Sequence, residues 1–260
     1  MDLTFREADG LKIRFAEAGQ GESETVVLTS PWPESVFAFR KVWDRLAERF
    51  HVLAIDLPGY GRSERQFELY STIAMGGFLV QLVKEWDLGP VHFVAPDVGT
   101  PATLWAAANE PALVRSLVIG GGATTVPLQV EGALKDLIEA PDLEGIRQID
   151  SKDILGPIYD AIPGGETPPE VRADYLESYA GDRFVESARY VRTYPTDSPS
   201  WRRSWLALRR PPRLSPDAMT PSCPRSTRSS CTTGCRTTGW IFFLPRTTRG
   251  RKCRICMGTC

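Results

Sequence analysis

The chain reads as an α/β protein. It predicts a mostly parallel sheet with helices on both faces and a helical cap, with the C-terminal part of the fold missing or disordered. Three observations lead there. Apolar runs of strand length alternate with amphipathic stretches of helix length through residue 123, which implies crossover connections and a parallel sheet. Short helical patterns without strands then follow to residue 196. Beyond that the composition breaks. Residues 1–200 carry 18 of the 31 basic and 31 of the 32 acidic residues, net −13, whereas residues 201–260 carry 13 basic residues and the single acid Asp217, net +12. All six cysteines (Cys223, Cys231, Cys235, Cys253, Cys256, Cys260) also fall in that last stretch. Three segments follow: 1–123, the α/β core; 124–196, a helical cap or lid; and 197–260, an aberrant basic, Cys-rich tail.

Taken in order, Leu11–Glu17 is strand-like, with Lys12, Arg14 and Phe15 alternating, and Thr25–Thr29 is a continuous apolar run. Phe37–Phe50 is amphipathic at helical spacing, with Phe39, Val42, Trp43, Leu46 and Phe50 on one face. His51–Asp56 is a buried-strand run ending in a Pro-Gly-Tyr-Gly-Arg-Ser loop. Ile73–Trp86 is the next helix, Val91–Ala95 a strand, Thr103–Ala108 part of a small-residue helix, and Ser116–Ile119 another strand. In the cap, the patterns Leu134–Ile138, Ile154–Ile158, Val171–Tyr179 and Phe184–Tyr194 are separated by Pro141, Pro157, Pro163-Gly164-Gly165 and Pro168-Pro169. Residues 197–260 show no period, and only Trp240–Leu244 is apolar.

At 42% hydrophobic and 24% charged, the composition is that of an ordinary globular protein. No apolar run approaches the roughly 18–20 residues that span a bilayer. The start of the chain, Met1-Asp2-Leu3-Thr4, lacks a basic and then apolar leader, so a cytoplasmic protein is expected. The expected partner is a small-molecule substrate rather than nucleic acid or membrane, with no cofactor and no metal.

In a parallel sheet the reactive groups sit beyond the carboxyl ends of the strands. That singles out the loops Ser30–Ser35, Leu57–Ser63 and Pro96–Pro101. The third is the most informative. A strand, Phe93-Val94-Ala95-Pro96, runs into a tight turn with Asp97 at its apex and then into a helix rich in small residues. This is the setting of a nucleophile elbow, with an aspartate at the nucleophile position. The Val98 amide and the helix N-terminus behind it would face developing negative charge. The plainer alternative is that Asp97 N-caps the helix. In the first loop, the Trp32 amide is the candidate second donor, because Pro31 and Pro33 have none. The Trp32 side chain also suits a lid-facing apolar position.

SPWPES, DLPGYGRS and APDVGTP, in this order and spacing, resemble the α/β-hydrolase family, and more narrowly its aspartate-nucleophile branch of epoxide hydrolases and haloalkane dehalogenases. The resemblance covers residues 1–196. It implies that Asp97 attacks an electrophilic carbon of an epoxide or haloalkane to form an alkyl ester. It further implies that the Trp32 and Val98 amides form the oxyanion hole, and that a histidine held by an acid activates the hydrolytic water. Epoxide opening in the family also uses two cap tyrosines as acids, which leaves Tyr159, Tyr175, Tyr179, Tyr190 and Tyr194 as candidates. Asp56, Gly59, Gly61 and Ser63 match a structural loop of the family. Two positions depart from it: Ser30-Pro31 stands for the usual His-Gly, and Val98 for the Trp that follows the nucleophile in haloalkane dehalogenases.

The resemblance places the histidine late, yet the chain's two histidines are His51 and His92, both near strand starts. One reading explains this together with the tail: residues beyond about Thr196–Trp201 are translated out of frame. Reading the last base of one codon with the first two of the next, Met219–Thr220 forces an aspartate and Trp240–Ile241 forces another. The displaced frame permits G-R-x-D-P-V-V-P-P from Pro216 onward, a helix and strand through Leu244, and A-A-D-H-A-W-E-E over Pro245–Lys252, which resemble the family's acid and histidine turns. Such a chain would lack the last strands, acid and base, leaving a raw sheet edge and no turnover. The competing readings of the tail are a zinc site on its cysteines, a nucleic-acid-binding tail, a disulfide framework and plain disorder. For the whole chain, the alternative to a hydrolase is a non-catalytic small-molecule-binding protein on the same fold.

Overall fold

The apolar runs become strands because their alternate side chains find a covering layer on both faces. The computed structural model describes residues 1–162, 167–209 and 240–243. The chain order begins β1 (Leu3–Ala8), β2 (Leu11–Ala18), β3 (Thr25–Thr29), α1 (Trp43–Ala47), β4 (His51–Ile55), α2 (Thr72–Glu85), β5 (Val91–Pro96), α3 (Gly99–Asn109) and β6 (Val114–Gly120). Five cap helices come next: α4 (Gly132–Glu139), α5 (Glu144–Arg147), α6 (Ser151–Asp160), α7 (Pro169–Ser178) and α8 (Arg183–Val191). The long helix α9 (Tyr194–Arg209) and the strand β7 (Trp240–Phe243) close the described chain.

The strands form one sheet in the order β1-β2-β4-β3-β5-β6-β7. Its middle, β4-β3-β5-β6, is parallel, and the pairings toward both ends are antiparallel. Val26 lies opposite Val52 and His92, and Leu28 opposite Ala54 and Val94, so side chains form rows across the sheet. Val27, Leu53, Ile55 and Phe93 enter one core with Met75, Phe78 and Leu82 of α2. Val26, Leu28, Val52 and Ala54 enter the other with Val36, Phe39 and Trp43. Each Val, Leu, Ile, Phe or Met among them stabilises by about 1.5–3 kcal/mol on burial. The cap shares the first core through Leu155, Tyr175, Phe184 and Val191, so it is welded to the sheet rather than tethered beside it.

Several expectations are corrected. The edge strand β1 is absent from the sequence reading; its exposed Thr4, Phe5, Arg6 and Glu7 give no apolar run. The helix expected over Phe37–Phe50 is broken into a 3-10 turn at Val36–Phe39 and the short α1. The Val36 amide is fixed on Asp56 Oδ1 at 2.9 Å, and the segment then buries Val36, Phe39 and Trp43, leaving Val42 46% exposed. Pro157 does not break a helix: α6 runs through it, with the proline on the solvent face where water can satisfy the freed carbonyl.

The boundary drawn at 196/197 is crossed by α9, and residues 197–209 are helical, not aperiodic. Asp197 explains the docking. Its Oδ2 accepts from the Thr72 amide at 2.7 Å and the Thr72 hydroxyl at 2.8 Å, placing a carboxylate at the N-terminus of α2. Trp201 is buried beside it, with Nε1 3.1 Å from Thr72 Oγ1. The edge at β6 is not raw, because β7 pairs with it, Ile241 opposite Ile119. The remaining tail, with all six cysteines, Asp217 and most of the proposed out-of-frame segment, lies outside the described residues.

Candidate active site

β5 ends at Pro96 and α3 begins at Gly99, so the chain must reverse within two residues. Asp97 makes the reversal at φ +50°, a left-handed conformation that costs a non-glycine residue on the order of 1–3 kcal/mol. The surroundings hold it there. The Asp97 amide donates to Gly120 O at 2.8 Å, the Thr100 amide to Asp97 O at 3.0 Å, and the Thr100 hydroxyl to Ala95 O at 2.7 Å. The approach also requires Gly99, where a Cβ would stand 2.1 Å from Thr29 Oγ1.

The carboxylate does not cap α3, whose N-cap is Val98 with no side-chain bond. It turns to the loop after β3, where Oδ2 accepts the Trp32 amide at 2.7 Å, and it also accepts the Val98 amide. Burial pushes the Asp97 carboxyl up to about 6; the two amides pull it down, and the charge of nearby Glu34 adds to the rise. Trp32 makes two kinds of contact. Its amide meets Asp97, while its ring stacks on Phe184 at 5.5 Å and its Nε1 donates to Ser187 Oγ at 2.8 Å.

The five tyrosines separate by what their hydroxyls touch. Tyr159 donates to Pro33 O at 2.6 Å, Tyr179 to Glu34 O at 2.9 Å, and Tyr175 to Glu34 Oε2 at 3.1 Å. Tyr190 donates to Val98 O at 3.1 Å, directly behind the Asp97 turn. The Tyr194 hydroxyl has no hydrogen bond among the described residues; burial pushes it and the Tyr190 hydroxyl up, and the charge of Asp97 adds to the rise at both. Burial pushes all five above the ordinary tyrosine range, so they are protonated donors at neutral pH.

His51 and His92 sit where the sequence puts them, at the opposite end of the sheet. His51 pairs with Glu17 at 2.7 Å, and His92 lies 2.7 Å from Ser116 Oγ. Asp97 lies five residue steps along the chain from His92, roughly 16 Å at about 3.3 Å per step.

Sequence reasoning missed a buried ion cluster beside the site. Arg14 holds Asp174 of α7 with two hydrogen bonds of 2.8 Å and lies 2.8 Å from Asp56, while Ser35 Oγ donates to Asp174 at 2.6 Å. Despite burial, the bonds from Arg14 and Ser35 keep the Asp174 carboxyl below its ordinary range. Alternation along β2 gave no sign that a charged residue would be buried; only the acids near it in space explain it. A surface cavity of about 470 Å³ opens beside this cluster, walled by Leu3, Phe5, Phe37 and Arg62, with no wall formed by Asp97.

Residues 24–143 match the family model described as alpha/beta hydrolase fold. This chain has the α/β-hydrolase fold. Similarity extends to an uncharacterised hydrolase of Saccharomyces cerevisiae, 27% identical over 187 residues, covering 70% of this chain and 61% of that protein. A soluble epoxide hydrolase of Corynebacterium is 30% identical over 120 residues, covering 45% of this chain and 41% of that one. The chain therefore spans about two-fifths to three-fifths of these relatives' lengths. Among solved structures, the haloalkane dehalogenase DbeA of Bradyrhizobium elkani superposes with a TM-score of 0.67 at 20% identity, covering 80% of this chain and 76% of that one, a likeness of fold.

Proposed function

We propose that this α/β-hydrolase uses Asp97 as a nucleophile on an epoxide or haloalkane-type small hydrophobic substrate. The observation that carries the proposal is the carboxylate itself, held at a strained elbow with Oδ2 on the Trp32 amide. A serine nucleophile would leave the two amides for a substrate oxygen. Here the Trp32 amide is on Oδ2, and Oδ1 makes the attack. An Oδ1 lone pair forms the new C–O bond, the C–halogen or epoxide C–O bond breaks, and its electron pair leaves on halide or oxygen. The epoxide oxygen takes its proton from Tyr194, whose hydroxyl is uncommitted. Oδ2 becomes the ester carbonyl oxygen, already in place for the charge that builds on it when water adds.

That second step needs a base, and neither histidine is near. The ester would therefore persist in this chain. The forced aspartates at Met219–Thr220 and Trp240–Ile241 support a displaced reading frame as the reason. The test is to resequence the gene, restore the frame, and compare both proteins with 1,2-epoxyhexane and 1-bromohexane. The restored protein is expected to release diol or bromide catalytically, and the present chain no more than one equivalent. Steady turnover by the present chain would contradict the proposal. An in-frame gene encoding the same tail would contradict the frame reading and favour a binding protein.

A further inference from the structure

Three consecutive residues of the oxyanion loop are hydrogen-bonded by the cap. Tyr159 of α6 holds Pro33 O at 2.6 Å, Tyr179 of α7 holds Glu34 O at 2.9 Å, and Asp174 of α7 holds the Ser35 hydroxyl at 2.6 Å. The core anchors this stretch at its two ends, through the Ser30 amide on Ile55 O at 3.0 Å and the Val36 amide on Asp56 at 2.9 Å. Between those anchors, the carbonyls of Pro33 and Glu34 are taken by cap hydroxyls, and the Trp32 amide is given to Asp97. The cap residues are not free to drift. Arg14 of β2 grips Asp174 from the sheet, the Trp32 ring lies stacked on Phe184 of α8, and Tyr159 and Tyr175 pack ring to ring at 5.2 Å.

We infer that Tyr159 and Tyr179 are positioning residues: with the cap seated they hold the Pro33–Glu34 backbone so that the Trp32 amide meets Asp97, and without them that amide withdraws. The catalytic consequence rests on the reading of Asp97 as nucleophile; the mechanical coupling does not. It also removes both tyrosines from the set of proton donors, since each hydroxyl is spent on a loop carbonyl. The cap then acts on the chemistry through the loop as well as by covering the site.

The test is the double variant Tyr159→Phe/Tyr179→Phe in the full chain, with Tyr159→Phe alone as the milder form should the double variant unfold. Two readouts are taken: amide hydrogen exchange of the peptide spanning residues 30–36, and the pH profile of Asp97 alkylation by 1,2-epoxyhexane. Exchange in that peptide is expected to rise by about tenfold, with β3 unchanged, because each lost hydrogen bond is worth around tenfold or somewhat less. Alkylation should slow, and its pH midpoint should move upward, because the Trp32 amide no longer favours the ionised carboxyl. Unchanged exchange at residues 30–36 would overturn the coupling. Raised exchange with an unmoved pH profile would overturn its link to Asp97. No adduct in the unaltered chain would instead refute the nucleophile reading, and the exchange result would still decide the coupling.

Discussion

In the proposed reaction the Asp97 carboxyl must be ionised to attack, and burial pushes it up to about 6. A group with that midpoint is about 9% ionised at pH 5 and about 91% at pH 7, so alkylation should accelerate by about tenfold across the interval. An ordinary aspartate, with a pKa near 3.9, would be more than about 90% ionised at both values and give a flat profile. The assay is intact mass spectrometry of the adduct against time, with 1-bromohexane, whose departure as bromide needs no proton. The same shift has a stability face. A carboxyl raised above its unfolded value favours the folded state while protonated, and that contribution is lost as pH rises from about 4 through about 6. At neutral pH the charged Asp97 therefore destabilises the fold, on the order of 2–3 kcal/mol. Asp97→Asn should melt higher than the parent at pH 7.5 and lose that advantage near pH 4. A flat rate between pH 5 and pH 7, or no pH-dependent difference in melting, would refute the reasoning.

Three other outcomes are expected. Gly61→Ala places a Cβ 2.0 Å from Asp56 Oδ2 at a backbone φ of +50°, and should destabilise by about 2 kcal/mol or more, read by urea unfolding. Asp174→Asn removes one of the two buried carboxylates that hold Arg14 and weakens the Ser35 contact, while Asp56 still pairs the guanidinium, for a loss of about 1–3 kcal/mol by the same measurement. Tyr194→Phe removes the uncommitted hydroxyl, and should slow alkylation by 1,2-epoxyhexane by about 10²-fold while leaving 1-bromohexane within a few-fold, because only the epoxide oxygen needs a proton. Equal losses with both reagents would argue against that role.

The strands that carry the site were legible because buried parallel strands are continuous apolar runs: Thr25–Thr29 and His51–Ile55 stand out with no neighbour known. The elbow was legible too, since a strand, an aspartate and small residues can be read locally. What was hidden depends on contacts distant in sequence. Arg14 looks like an exposed strand residue until Asp56 and Asp174, 160 residues on, are brought beside it. The roles of Tyr159, Tyr179 and Tyr194 could not be divided, because what separates them is where each hydroxyl ends. The break in Phe37–Phe50 is of the same kind, being set by Asp56 gripping the Val36 amide. The helix over Tyr194–Arg209 escaped because Pro199 and its hydroxyl residues blur the period that Asp197 and Trp201 anchor.

Peptide mapping of the chain after reaction with 1,2-epoxyhexane tests the account most directly. It should show one added reagent per chain, as an ester on Asp97, absent from Asp97→Ala and not regenerated to free carboxylate over hours at pH 7.5. An adduct on another residue, or one that survives Asp97→Ala, would contradict the assignment of the nucleophile.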